Sequence, residues 1–247
     1  IADLMGGGSR TPTPIASSVG AKTVEETREV LARYRDRGYW VHSVKVGGDV
    51  DQNIERIQDV ETHRPAKERI LYDANRGFTR QQALRVMQAT EQWKVMFEQP
   101  CETLDDIAAI RPLHSAPVSV DECLVTLQDA TRVARDGIAE VFGIKLNRVG
   151  GLTKASRIRD IALAHGIDIF VMATGGSVLA DTEALHLAAT IPDDNMLGVW
   201  ACQDMITAEI ADGAGPRATK GHLHLPEQPG LGVHPQESTL TKVARYE

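Results

Sequence analysis

Apolar residues recur along this chain with two alternating periods. Near-continuous runs at 41–46, 70–74, 95–99, 118–122 and 141–146 read as strands buried on both faces. Between them, apolar positions spaced three or four apart predict amphipathic helices over 51–64, 79–92, 104–111, 127–135, 154–165 and 178–189. Another helix is expected over 23–36, where Thr23 is followed three positions on by Glu26, the pattern of a capping box. Runs at 13–19, 167–173 and 197–201 complete a set of eight strands and seven intervening helices. Strict alternation of this kind predicts an α/β barrel of parallel strands, written (β/α)7β. From Thr207 onward Gly213, Gly215, Pro216, Pro226, Pro229, Gly230, Gly232 and Pro235 break the alternation, so a turn-rich extension over 207–247 is expected after a barrel over 13–206.

The polar residues that interrupt the strand-like runs are informative. Lys45, Asp73, Glu98, Asp121 and Lys145 each stand at the tail of a successive run, 23–28 residues apart, about one strand–helix unit. In a barrel the C-terminal strand ends converge on one face, where the chemistry of that fold sits. Three hard carboxylates suit Mg²⁺, which keeps places for water and substrate oxygens. Any one of them alone would more simply cap a helix or pair with a basic residue. The flanking lysines are costly to bury charged, and nearby positive charge lowers an amine's pKa toward that of a usable base. The set therefore points to removal of a proton from a carbon beside a carboxylate, with the charge that develops stabilised by a divalent ion. Two bases on opposite faces permit either return of the proton from the other side or departure of a β-substituent.

Strand parity places Ser43 on the face of Lys45 and sends His42 and Val44 toward the helices. Asn75 is two residues past Asp73; it orients a ligand or shapes the turn. Trp200 ends the eighth strand, where it would meet a cationic ammonium face-on or pack the barrel mouth. His222 and His224 alternate as a metal pair would, but with no further ligands nearby a solvated strand is expected. The turn at Gly150 and Gly151 carries only a weak anion-binding signal.

Composition narrows the class. The chain has 247 residues, 42% hydrophobic, enough for one large core. A net charge of −7 argues against nucleic-acid or anionic-membrane partners. No apolar stretch approaches the roughly 20 residues that span a bilayer. Cys101, Cys123 and Cys202 are odd in number and widely spaced, which fits a reducing cytoplasm. The expected partner is a small-molecule carboxylate, which the resemblance described next implies is of amino-acid type; self-association into a homo-oligomer is left open.

The segments 43–47, 73–75, 97–100, 120–122, 143–152 and 229–233 resemble, in order, the enolase superfamily, in particular its mandelate racemase and muconate-lactonizing branch. Within it, His42-Ser43-Val44-Lys45, Glu98-Gln99-Pro100-Cys101 and Asn147-Arg148-Val149-Gly150-Gly151 are similar to cis-3-hydroxy-L-proline dehydratases and hydroxyproline-betaine epimerases. The resemblance implies a modified TIM barrel of the enolase type, Mg²⁺ on Asp73, Glu98 and Asp121, and Lys45 with Lys145 as the acid–base pair. It implies dehydration of a 3-hydroxyproline, with epimerisation or racemisation of a proline derivative, another amino acid or a dipeptide as the alternative. A catalytically silent metal-binding barrel is the reading of a different class. The chain departs from the family in three places. Ser43 stands where a second lysine is usual, and Thr174 ends the seventh strand without the acidic residue often found there. The N-terminal α+β capping domain is expected to be missing, with 1–12 the remnant of its connector.

Overall fold

Short polar caps start six of the eight α-helices among the described residues. Thr23, Asp49, Thr79, Thr103, Thr126 and Ser177 each accept a backbone N–H in the first turn of the helix that follows, each cap contributing about 1 kcal/mol. The structure, a computed structural model, describes residues 1–7, 12–211 and 215–241. Its elements run β1 (Thr13–Val19), α1 (Val24–Asp36), β2 (Val41–Lys45), α2 (Val50–His63), β3 (Arg69–Asp73), α3 (Arg80–Ala89), β4 (Met96–Glu98) and α4 (Leu104–Ile110). They continue with β5 (Val118–Val120), α5 (Leu127–Asp136), β6 (Val141–Lys145), α6 (Leu146–Val149), α7 (Leu152–Ala164), β7 (Asp168–Met172), α8 (Val178–Ala188), β8 (Met196–Trp200) and β9 (His222–Leu223).

Strands β1 to β8 pair in parallel in chain order, and β1 closes the barrel by pairing with both β2 and β8. The expected α/β barrel is what the chain forms. Two apolar layers hold it. Ala16, Val41, Leu71, Val141, Phe170, Met172 and Leu197 fill the inside, while a larger cluster including Leu31, Ile57, Val86, Ile107, Val133 and Ile158 joins strands to the helix ring. Burial of each such side chain stabilises the fold by ~1.5–3 kcal/mol.

Several boundaries differ from the sequence expectation for local reasons. The helix expected over 79–92 ends at Ala89, where the Thr90 hydroxyl donates to the Val86 carbonyl and a 3-10 turn, Glu91–Trp93, follows. The run 118–122 is a strand only as far as Val120, and Asp121 begins a turn whose carbonyl accepts from Leu124 N–H. A short helix, α6, forms directly after β6. Gly150 and Gly151, at φ 93° and 92°, both donate to the Leu146 carbonyl, ending α6 and letting α7 start at Leu152.

The tail returns to the start of the barrel. Thr13 and Pro14 of β1 pair antiparallel with Leu223 and His222. Leu223 is fully buried, so the solvated strand expected here is instead a half-covered one, with His224 exposed. Of the connector expected over 1–12, Ala2–Met5 form a 3-10 turn, and residues 8–11 lie outside those described.

Outside the barrel wall a second polar system is buried. His42, facing the helices as parity predicts, bonds Ser17 Oγ through Nδ1 at 2.7 Å, and its Nε2 lies 3.8 Å from Glu68. Arg35 donates twice to Glu68, at 2.7 and 2.9 Å. Tyr72 donates to Glu61 at 2.8 Å, and Arg64 donates to the other Glu61 oxygen at 2.7 Å.

Candidate active site

The ladder sets the height of the charged residues. Lys45 pairs in register with Asp73, and Asp73 with Glu98. On the opposite arc Lys145 is in register with Met172, and Met172 with Trp200. The two arcs bound a single cavity at the C-terminal end of the barrel, lined by Ser18, Ser43, Lys45, Asp73, Glu98, Asp121, Lys145, Phe170, Met172 and Trp200. All but Asp121 lie on strands and point inward because each strand alternates inside and outside; Asp121 follows directly after β5, and the apolar inner layer forms the floor beneath the set.

Seven of the nine residues expected from sequence thus share this cavity. Thr174 does not line it: it lies past the end of β7, exposed beside Gly175 and Gly176. Asn75 is also exposed, at the rim, where its backbone takes φ 43° and Arg76 follows at 67°. Its side chain has a definite task nonetheless. It accepts from Lys45 Nζ at 3.0 Å and donates to Glu122 at 3.0 Å, and its N–H donates to Asp73 at 2.9 Å.

Asp73, Glu98 and Asp121 are almost wholly buried. Buried charge is tolerated only when matched. Lys45 donates to Asp73, Lys145 donates to Asp121 at 3.1 Å, and Arg148 of α6 takes the other Asp121 oxygen. Glu98 has no such partner; its Oε1 is buried without a hydrogen bond. Desolvation, and then the charges of Asp73 and Asp121, hold its pKa well above the usual carboxylate range. Among the described residues no three His, Cys, Asp or Glu side chains gather into a ready cation cage. Lysine and arginine instead occupy oxygens of the two aspartates.

Close approach of the backbone completes the mouth. A Cβ on Gly143 would stand 2.8 Å from the Met172 methyl, 3.0 Å from the Val120 carbonyl and 3.3 Å from Asp121 Cα. Only glycine lets β5, β6 and Met172 meet there. Ser18, Phe170, Met172 and Arg148 were not singled out from sequence. The first three follow from strand parity once register is known, whereas Arg148 depends on the unpredicted α6.

A parallel barrel that carries carboxylates and amines at the C-terminal ends of its strands holds its reactive groups where that fold places its chemistry, and the comparisons give the family. Residues 25–239 match the family model described as enolase C-terminal domain-like, and the chain belongs to that family. It is 30% identical over 244 residues to the cis-3-hydroxy-L-proline dehydratase of Roseibium aggregatum, covering 98% of this chain and 66% of that protein. A Silicibacter pomeroyi structure of the mandelate racemase/muconate lactonizing type is 77% identical, with a TM-score of 0.95 over 98% of this chain and 66% of that one. A Roseovarius nubinhibens enolase-superfamily structure complexed with magnesium is 37% identical, with a TM-score of 0.95 over the whole of this chain and 67% of that one. Other relatives are named as an epimerase, a cycloisomerase and a synthase. The chain therefore spans about two thirds of the length of the relatives it matches.

Proposed function

We propose that this barrel removes the proton from Cα of an amino-acid carboxylate, with Lys45 and Lys145 as the acid–base pair and Asp73, Glu98 and Asp121 holding Mg²⁺. The observation that carries the reading is the pair of amines facing one cavity from opposite arcs, each on a carboxylate, with an unpartnered Glu98 between them. The donor set fits a small hard cation: three carboxylates, with no thiolate or imidazole among the cavity residues. When bound, the ion would supply charge stabilisation to the substrate carboxylate as the proton leaves.

The chain's own residues do the rest. One lysine takes the proton from its face of the substrate. The other, across the cavity, is placed to protonate a departing β-hydroxyl or to return a proton to Cα. Asn75 keeps Lys45 in range of the rim, and Trp200 offers an aromatic face to a substrate ammonium. Ser43 is buried beside Lys45 on the same strand face, available to a substrate hydroxyl. Thr174 is proposed as a rim contact only.

The substrate proposed is cis-3-hydroxy-L-proline, undergoing loss of water, on the strength of the dehydratase relative. The two-sided lysines equally favour a second reading, epimerisation of a proline derivative. The free thiols of Cys101, Cys123 and Cys202 suit a reducing cytoplasm. The barrel over 13–206 is proposed as the catalytic unit, with 207–247 packing toward a capping domain.

Proton NMR in D₂O with Mg²⁺ and a panel of proline derivatives tests the reading. Loss of the Cα–H signal together with the hydroxylated carbon's pattern is expected for the dehydratase. Exchange with an unchanged ring would assign the epimerase. A panel with no exchange overturns the proline assignment. Lys145→Ala should abolish turnover to product, and turnover that survives it would remove Lys145 from the acid–base pair.

A further inference from the structure

We propose that Gln99 is a positioning residue: a buried carboxamide that sets Asp121 against Glu98 and so fixes the relative placement of two of the three carboxylates. This rests on the ion-binding reading above and adds a residue to it.

The need for such a residue comes from the sheet. The β4–β5 ladder ends at Glu98 opposite Ser119, and β5 ends at Val120, so no strand pairing holds Asp121. Gln99 takes over where the ladder stops. Its Oε1 accepts from Asp121 N–H at 3.0 Å and from Cys123 N–H at 3.2 Å. Its Nε2 donates to the Cys101 carbonyl at 3.0 Å and to Cys123 Sγ at 2.9 Å. The Gln99 N–H donates to the Ser119 carbonyl, and its own carbonyl accepts from Arg76 N–H, each at 2.8 Å. One residue thus ties together the ends of β3, β4 and β5.

The identity of the side chain follows from this inventory. Two acceptances and two donations on one planar group require a primary amide; a carboxylate cannot donate and an alkyl chain can do neither. Gln99 is fully buried, so each bond is made away from water, where a lost partner cannot be replaced by solvent. The backbone is also strained. Gln99 sits at φ 38° although it precedes Pro100, which favours extended geometry in the residue before it. A left-handed non-glycine residue is strained and persists only where its surroundings fix it. From this backbone the side-chain amide reaches the N–H groups of Asp121 and Cys123.

The test is Mn²⁺ binding to the full chain without substrate, read by the electron paramagnetic resonance signal of the free ion. Gln99→Met, nearly isosteric and without hydrogen bonds, should weaken binding tenfold or more. Tyr72→Phe serves as the control for lost stability alone, because it removes a buried hydrogen bond on the helix-facing side of β3. It should lower Tm yet leave the Kd within twofold. Gln99→Asn keeps the amide on a shorter arm, and it should weaken binding in the same direction if the Met variant does not fold. Amide exchange at Asp121 should quicken in both Gln99 variants and stay unchanged in Tyr72→Phe. Wild-type affinity in the Gln99 variants, or an equal loss in Tyr72→Phe, would overturn the role of Gln99 and leave the ion site standing. A wild-type chain that takes up no ion would overturn both.

Discussion

Two buried acidic systems lie on opposite sides of the same barrel wall, and they are finished differently. On the outer side Glu68 receives two hydrogen bonds from Arg35 and lies beside His42. Burial alone would raise its pKa, but the nearby His42 and Arg35 outweigh burial and bring it from the ordinary 4.5 to about 2. On the inner side Glu98 is buried as deeply, with one oxygen unpartnered and two aspartates nearby, and its pKa is driven the other way. The outer system holds helices to strands. The inner one keeps a carboxylate oxygen unsatisfied, a cost that a cation would remove, and such imbalances concentrate where chemistry is done.

Removing the inner carboxylate should have the largest effect. Glu98→Gln replaces a carboxyl whose charged form is opposed by burial and by Asp73 and Asp121, so Tm without added ion should rise by a few degrees. The same variant should lose the Mg²⁺-dependent rise in Tm and at least about 10³-fold of α-proton exchange, a loss on the scale of removing a principal electrostatic group. A variant that kept both properties would place the ion elsewhere.

The outer carboxylate should behave in the opposite sense. A depressed folded-state pKa gives stability that is complete above about 4.5 and is lost as pH falls toward about 2. The shift corresponds to ~3 kcal/mol. Glu68→Gln should therefore lower Tm by roughly 6–12 °C at neutral pH and flatten the acid unfolding curve within that window, with exchange activity retained. An acid transition as steep as that of the wild type would mean that other carboxylates set it.

A smaller effect tests the wall between the two systems. Gly143→Ala would press a methyl on the Val120 carbonyl and the Met172 side chain, costing about 1–3 kcal/mol as overpacking does. Because the same methyl meets Asp121 Cα, Mg²⁺ affinity should fall along with Tm, measured by calorimetry and thermal melting. A fall in Tm with unchanged affinity would show that Met172 alone moves aside.

The charged mouth was legible in the sequence because it rests on two short-range rules. Apolar runs mark parallel strands, and the last polar residue of each run marks the rim; Lys45, Asp73, Glu98 and Lys145 all end strands. His42 was legible by parity. What escaped depends on backbone conformations with little local signature. Gln99 takes a left-handed φ that the following proline disfavours, and α6 exists because two glycines turn the chain just after it. Arg148 reaches Asp121 only through that turn. Thr174 was placed by analogy with a strand end, but β7 stops at Met172 and the chain leaves the cavity.

The pairing partners of β1 have a consequence for how the polypeptide is made. Its contacts with β2 are local, but Ile15 must wait for Val199, and Thr13 for Leu223. At ~5–20 residues per second the first strand spends on the order of ten seconds or more with one edge unpaired while the ribosome supplies its partners. Such an edge invites pairing with another nascent chain. Pro14, which pairs with His222 of β9, lacks an N–H and so removes one donor from the strand. Closure of the cylinder is thus a late event of high contact order, and the rate of folding should be set there.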